Sequence, residues 1–284
     1  MDLTTLIPVD ELQHELGNPS LVVFDCRFDL ADTDKGERAY AEGHIPGALY
    51  AHLDHHLSSP ITGETGRHPL PDIDRLALWL GSCGVNEQSQ VVVYDDSYGT
   101  MATRLWWLLR WLGHDRVALL DGGWQAWLAS GGETTTKVPT PQATRFEFQV
   151  RDEMLLSTRA ISSDLQTAEE HWLLIDARTA ERHNGEAEPI DPVAGSIPGS
   201  VNLPLQLNLD SDGCYLSAET LRQRYLALMG DHPASRTACY CGSGVTACHN
   251  LLAMEIAGLH GSRLYAGSWS EWIRDPRRPV QTKP

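Results

Sequence analysis

Positive charge is scarce in this chain: 22 lysines and arginines stand against 38 aspartates and glutamates, a formal net charge of −16 over 284 residues. That balance argues against a general nucleic-acid binder and against docking on an anionic membrane. Long apolar runs are missing as well. The most apolar helical stretch, 105–112, is interrupted by Arg110 and is too short to cross a bilayer. The opening residues, Met1-Asp2-Leu3-Thr4-Thr5-Leu6-Ile7-Pro8, lack the basic start and apolar core of a secretory leader, so a cytoplasmic location is expected. Cysteine is thinly spread. Its six positions, Cys26, Cys83, Cys214, Cys239, Cys241 and Cys248, do not have the dense spacing of a secreted disulfide scaffold. Nor do they form the two compact knuckles of a structural zinc site, so no bound metal is expected.

What the chain does contain is a repeat. Leu21-Val22-Val23-Phe24-Asp25-Cys26-Arg27 is echoed by Trp172-Leu173-Leu174-Ile175-Asp176-Ala177-Arg178, each a buried-strand run closed by Asp-x-Arg. Helical patterns precede both, over 9–16 and 163–170. Gly43-His44-Ile45-Pro46-Gly47 returns as Gly195-Ser196-Ile197-Pro198-Gly199, a turn that delivers a short strand. The runs 90–95 and 236–241 correspond, as do Asp121-Gly122-Gly123-Trp124 and Ala266-Gly267-Ser268-Trp269. Four landmarks in one order mark a duplicated domain. Strands alternating with helices imply an α/β fold in which each copy is a mainly parallel sheet flanked by helices. The expected division is a first domain over 1–135, a Pro- and Thr-rich linker over 136–157 and a second domain over 158–284. The tryptophans of 106–107, 124 and 127 are read as core packing.

The copies part company at one position. Cys241 stands at the end of a strand-like run, 237–240, and opens the turn Cys241-Gly242-Ser243-Gly244-Val245-Thr246 before a helical pattern with Leu251, Leu252 and Ile256 at helical spacing. A glycine-bearing turn between strand and helix points several backbone N–H groups at its occupant, and the helix dipole adds to them, so a thiolate is favoured there. In the first copy Asp95 occupies the equivalent place and cannot supply a nucleophilic thiol. A cysteine at such a turn is a candidate nucleophile; the alternative is a small buried apolar residue, as most single cysteines are.

Cys-Gly-Ser-Gly-Val-Thr resembles the active-site loop of the 3-mercaptopyruvate sulfurtransferases, within the wider rhodanese family, and the resemblance covers nearly the whole chain. It implies tandem rhodanese-like domains, the first non-catalytic and the second carrying a Cys241 persulfide. It implies that Ser243, His68 and Asp54 form a proton relay, His68 from Gly66-Arg67-His68-Pro69 and Asp54 from His52-Leu53-Asp54. It further implies that Arg182, in Ala180-Glu181-Arg182-His183, holds the donor's anionic group, while the loop residues Gly242, Gly244, Val245 and Thr246 cradle the sulfur. The family's second arginine, just after Glu-Pro, is missing: Glu188-Pro189 is followed by Ile190-Asp191.

The expected donor is a small molecule, 3-mercaptopyruvate, or alternatively thiosulfate. Related thiosulfate enzymes carry Arg and Lys inside the loop, and this loop has neither. The expected acceptors are cyanide, a small thiol or thioredoxin, with no cofactor and no nucleic-acid or membrane partner. Two other readings use the same fold. A phosphatase of the Cys-x5-Arg kind would need arginine where Ala247 stands, and a non-catalytic binding or sensor module would not need the intact Cys241 loop.

Overall fold

The structure is a computed structural model that describes residues 2–166 and 171–283. It contains two compact units. The first runs through β1 (Leu6–Ile7), α1 (Val9–Glu15), β2 (Leu21–Asp25), α2 (Lys35–Glu42), β3 (Leu49–Tyr50), α3 (Ile73–Ser82), β4 (Gln90–Tyr94), α4 (Ala102–Trp111), β5 (Val117–Leu120) and α5 (Gly123–Ala129). Its sheet has the order β1-β5-β4-β2-β3, and every pairing is parallel. The middle strand β4, Gln-Val-Val-Val-Tyr, is buried along its whole length, as a strand covered on both faces must be. Trp106, Trp107 and Trp127 are fully buried, and Trp124 lies under the Arg27 guanidinium at 4.5 Å, so these rings pack the core.

The second unit contains α6 (Thr158–Asp164), β6 (Leu173–Asp176), α7 (Ala180–Asn184), β7 (Val201–Asn202), α8 (Ala218–Met229), β8 (Thr237–Tyr240), α9 (Ala247–Ile256), β9 (Arg263–Leu264) and α10 (Ser268–Trp272). Its parallel order β7-β6-β8-β9 matches β3-β2-β4-β5 of the first unit. The counterpart of β1 is reduced to one parallel bridge, Leu155 to Leu264, with Leu156 N–H donating to Leu264 O at 2.9 Å. The helix expected over 163–170 begins earlier. The Ser157 hydroxyl accepts from Ala160 N–H and starts α6 at Thr158, and residues 167–170 lie outside the described ones.

The Asp-x-Arg echoes have one purpose in both units. Asp25 and Arg27 form a buried bidentate pair whose Nη2 also donates to Gly43 O at 2.7 Å; Asp176 and Arg178 do the same, with Gly195 O at 2.7 Å. Each arginine therefore ties the end of its strand, β2 or β6, to the Ile-Pro-Gly turn. Burial works to raise Asp176, but a hydrogen bond from His183 and the charge of Arg178 outweigh it and hold the carboxyl below its ordinary value.

The units exchange short pieces of chain. Pro60–Pro69 clusters with the second unit, although it lies in the first half of the sequence, and Ser211–Cys214 clusters with the first. Each piece follows its own Ile-Pro-Gly turn by about a dozen residues. The stretch expected as a linker divides between the units after Arg151. Its first part is bonded to the first unit, Thr144 N–H to Gly81 O and Arg151 N–H to Trp111 O. Among the described residues no helix is long and apolar enough to cross a membrane.

Candidate active site

β8 delivers Cys241 at its carboxyl end, and the chain then turns through Gly242–Thr246 into α9. Gly244 makes the turn possible. It sits at φ +77°, and a Cβ there would run into Ala266 O. The turn folds back so that Gly244 N–H donates to Cys241 Sγ at 3.1 Å. Among the described residues, the N–H groups of Gly242, Ser243, Val245 and Thr246 meet no acceptor. Thr246 holds the N-cap position of α9 without a side-chain cap, which leaves the helix end open to an anion.

From behind, the loop is held by the start of α10: Trp269 N–H donates to Cys241 O at 3.0 Å and Ser270 N–H to Gly242 O at 2.9 Å. Ser268 adds a third hold. Its hydroxyl accepts from Cys241 N–H at 3.1 Å, donates to Tyr265 O at 2.9 Å and stands 4.0 Å from Sγ. It does so at φ +55°, a left-handed conformation costly for a side chain. The sequence reading missed Ser268, yet the signal was there: the other repeat has Gly123 at this place, at φ +59°.

Three of the other five thiols are poorly suited to attack. Burial raises Cys26 and Cys239, and it pushes Cys83 up to about 11, so all three stay protonated at neutral pH.

The segment Pro60–Pro69 brings two side chains to the loop. His68 Nδ1 lies 2.7 Å from Ser243 Oγ, and both residues are buried. Arg67 N–H donates to Ser270 Oγ at 3.1 Å, and Arg274 Nε donates to Thr65 O at 3.0 Å, so the segment is pinned along the Gly267–Ser270 turn. Asp54, the expected third member of the relay, lies in the first unit after β3, where its N–H donates to His52 Nδ1 at 3.1 Å.

Arg182 projects from α7 and is gripped by carboxylates: Nη2 meets Glu188 Oε1 at 2.7 Å and Asp191 Oδ2 at 3.2 Å. Asp191 also pairs with Arg67. Burial tends to raise Glu188, but the hydrogen bond from Arg182 and the Asp191 and Ile190 N–H groups hold it down, keeping it ionised. Both guanidiniums face the loop. A Cβ on Gly242 would lie 2.8 Å from Arg67 Nη2 and 3.5 Å from Arg182 Nη2. The pairing of Arg67 with Asp191, 124 positions apart, leaves no trace in sequence spacing.

A family model for the Rhodanese-like domain matches residues 8–130 and 160–275. The chain belongs to this family. Its rhodanese-like domains are accompanied by full-length relatives. A probable 3-mercaptopyruvate sulfurtransferase of Pseudomonas aeruginosa is 49% identical over 99% of both chains. A putative thiosulfate sulfurtransferase of Mycobacterium tuberculosis is 38% identical over 94% of this chain and 92% of its own. Among solved structures, the 3-mercaptopyruvate sulfurtransferase from Leishmania major superposes with a TM-score of 0.84 at 31% identity, over 96% of this chain and 76% of that one. With relatives covered end to end, this rhodanese-family protein is a sulfurtransferase.

Proposed function

We propose that the protein moves sulfur from 3-mercaptopyruvate to a thiol or cyanide by way of a Cys241 persulfide. The Cys241 thiolate attacks the donor's thiol sulfur. The carbon–sulfur bond breaks, its electron pair leaves on carbon as the enolate of pyruvate, and the proton given up by the sulfur passes to that carbon through Ser243 and His68. The loop N–H groups from Gly242 to Thr246 hold the outer, anionic sulfur, and Arg182 holds the donor's carboxylate. Cyanide then attacks the outer sulfur, the sulfur–sulfur bond breaks, and thiocyanate departs from a restored Cys241 thiolate.

The observation that carries the choice of donor is the contact between Ser243 Oγ and His68 Nδ1 at 2.7 Å beside the thiol. A departing enolate needs a proton. Sulfite, which leaves from thiosulfate, needs none, so a hydroxyl and imidazole placed here serve the first donor and are idle for the second. One observation favours thiosulfate as a second donor: two guanidiniums flank Gly242, which offsets the lack of basic residues inside the loop.

Intact-mass measurement after exposure to 3-mercaptopyruvate should show one added sulfur, released by cyanide and absent in Cys241→Ser. Retention of that sulfur in Cys241→Ser would overturn the mechanism. Steady-state kcat/KM is expected to be higher for 3-mercaptopyruvate than for thiosulfate with cyanide as common acceptor, and His68→Gln should lower the first far more than the second. The opposite order would make the protein a thiosulfate enzyme.

A further inference from the structure

We infer that Arg67 is the second cation of the donor site: the donor's carboxylate is gripped between Arg67 and Arg182, and Asp191 is the strut that sets their spacing. This rests on the sulfur-transfer reading above. The Glu188-Pro189-Ile190-Asp191 stretch offers no second arginine of its own, and its acidic member instead binds one from elsewhere in the chain.

The charges in this cluster are layered. Asp191 and Glu188 form the back, each with a side chain only 3% exposed, whereas Arg67 and Arg182 form the front, at 23% and 15%. Asp191 takes Arg67 with one carboxylate oxygen and Arg182 with the other, so the two guanidiniums are held side by side. Glu188 fixes Arg182 further through Nε, with both oxygens at 3.1 Å, and is itself tied to Arg178 Nη1 at 3.1 Å.

The edges that remain lie beside the same glycine. Among the described residues, Arg67 Nη2 and Arg182 Nη1 meet no acceptor, and both lie against Gly242, at 2.8 and 3.7 Å from where a Cβ would stand. Two neighbouring donors beside the residue next to the nucleophile suit a planar carboxylate, and the buried acids behind them hold the guanidiniums in place before the donor arrives. Glycine at 242 is what leaves that space open. Arg67 also precedes His68 directly, so one pinned segment brings the cation that orients the donor and the imidazole that manages its proton.

The test separates loading of the enzyme from its discharge. In a two-step exchange, kcat/KM for the donor reports loading, and kcat/KM for cyanide reports discharge. Arg67→Met is expected to lower kcat/KM for 3-mercaptopyruvate by about tenfold to a hundredfold, mainly through KM, and to weaken product inhibition by pyruvate to a similar degree. The cyanide constant should stay within about threefold. Arg67→Lys, which keeps the charge and loses the fork, should fall between. If the donor constant and pyruvate inhibition are unchanged while the wild type loads normally, Arg67 is no part of the donor site and the sulfur-transfer reading still stands. If both constants fall together in Arg67→Met and Arg67→Lys alike, Arg67 serves only to hold His68 in place, and the assignment is overturned. Failure of the wild type to load from 3-mercaptopyruvate would instead remove the reading on which this inference rests.

Discussion

Ser268 shows what one residue can be made to bear for chemistry. At φ +55° it occupies a conformation that its twin, Gly123, adopts without a side chain, and in return it sets a hydroxyl on the Cys241 N–H. Ser268→Ala keeps the strain and loses the hydroxyl, whereas Ser268→Gly loses both. Denaturant unfolding should therefore find Ser268→Gly about 1 kcal/mol more stable than Ser268→Ala, with sulfur transfer reduced in each. Equal stabilities would mean that the backbone is not strained there. Asp95, the residue in place of the cysteine in the first unit, is the contrasting case. Its carboxylate fills its own nest, accepting from the N–H groups of Ser97, Gly99, Met101 and Ala102 at 2.7–2.8 Å. Burial raises its carboxyl, and those four bonds offset part of the rise. Asp95→Asn would turn an amide donor toward N–H donors, and it should cost roughly 2–4 kcal/mol in unfolding experiments. An unchanged midpoint would show that water can replace the carboxylate.

At the scale of elements, the strand–loop–helix around Cys241 depends on one glycine. Gly244→Ala places a methyl group against Ala266 O at a left-handed φ, so it should destabilise the second unit by at least about 2 kcal/mol and break the contact between residue 244 and Sγ. Sulfur loading should drop about a hundredfold, as when one anion-binding N–H is removed from an active site. Near-normal loading would show that the other loop amides suffice. This element was legible in the sequence because its information is local: an apolar run, a glycine pair and a helical period lie within a score of residues. The Asp-x-Arg ends of β2 and β6 were legible for the same reason, with the repeat as confirmation. What stayed hidden depends on distance along the chain or on isolated contacts. Leu155 makes a single bridge to Leu264, too little for a strand signature, and Ser157 starts α6 ahead of its apolar pattern. Arg67 and Asp191 meet only after folding, so no window of sequence contains both.

For the whole molecule, the response to acid follows from buried histidines and paired carboxylates. Burial beside Trp79, with His52 and His55 adding repulsion, pulls His56 down from 6.5 to about 4. Between those values the unfolded chain binds a proton that the folded chain refuses, so stability falls as pH drops from 6.5 toward 4. A shift of that size is worth about 3 kcal/mol, which solvent at the half-buried ring screens to roughly 2 kcal/mol, and His56→Gln should flatten that part of the profile. Asp176 and Glu188 act below this window. Their folded values are depressed, so their stabilisation is complete above the ordinary carboxylate range and is lost as pH falls through the folded values. Urea midpoints of the wild type and His56→Gln from pH 7 to 3 measure both limbs; profiles of equal slope between pH 6.5 and 4 would contradict the lowered value of His56.

The exchange of Pro60–Pro69 bears on how such a gene can evolve. A shortened gene encoding only 152–284 would keep the thiol, the glycine turn and Arg182, but would leave Ser243 without its imidazole and Asp191 without Arg67. The repeat with Asp95 in place of the cysteine is thus not spare: a chain cut back to the other repeat lacks both of these contacts. Two repeats that share pieces of chain in this way are halves that must be inherited together.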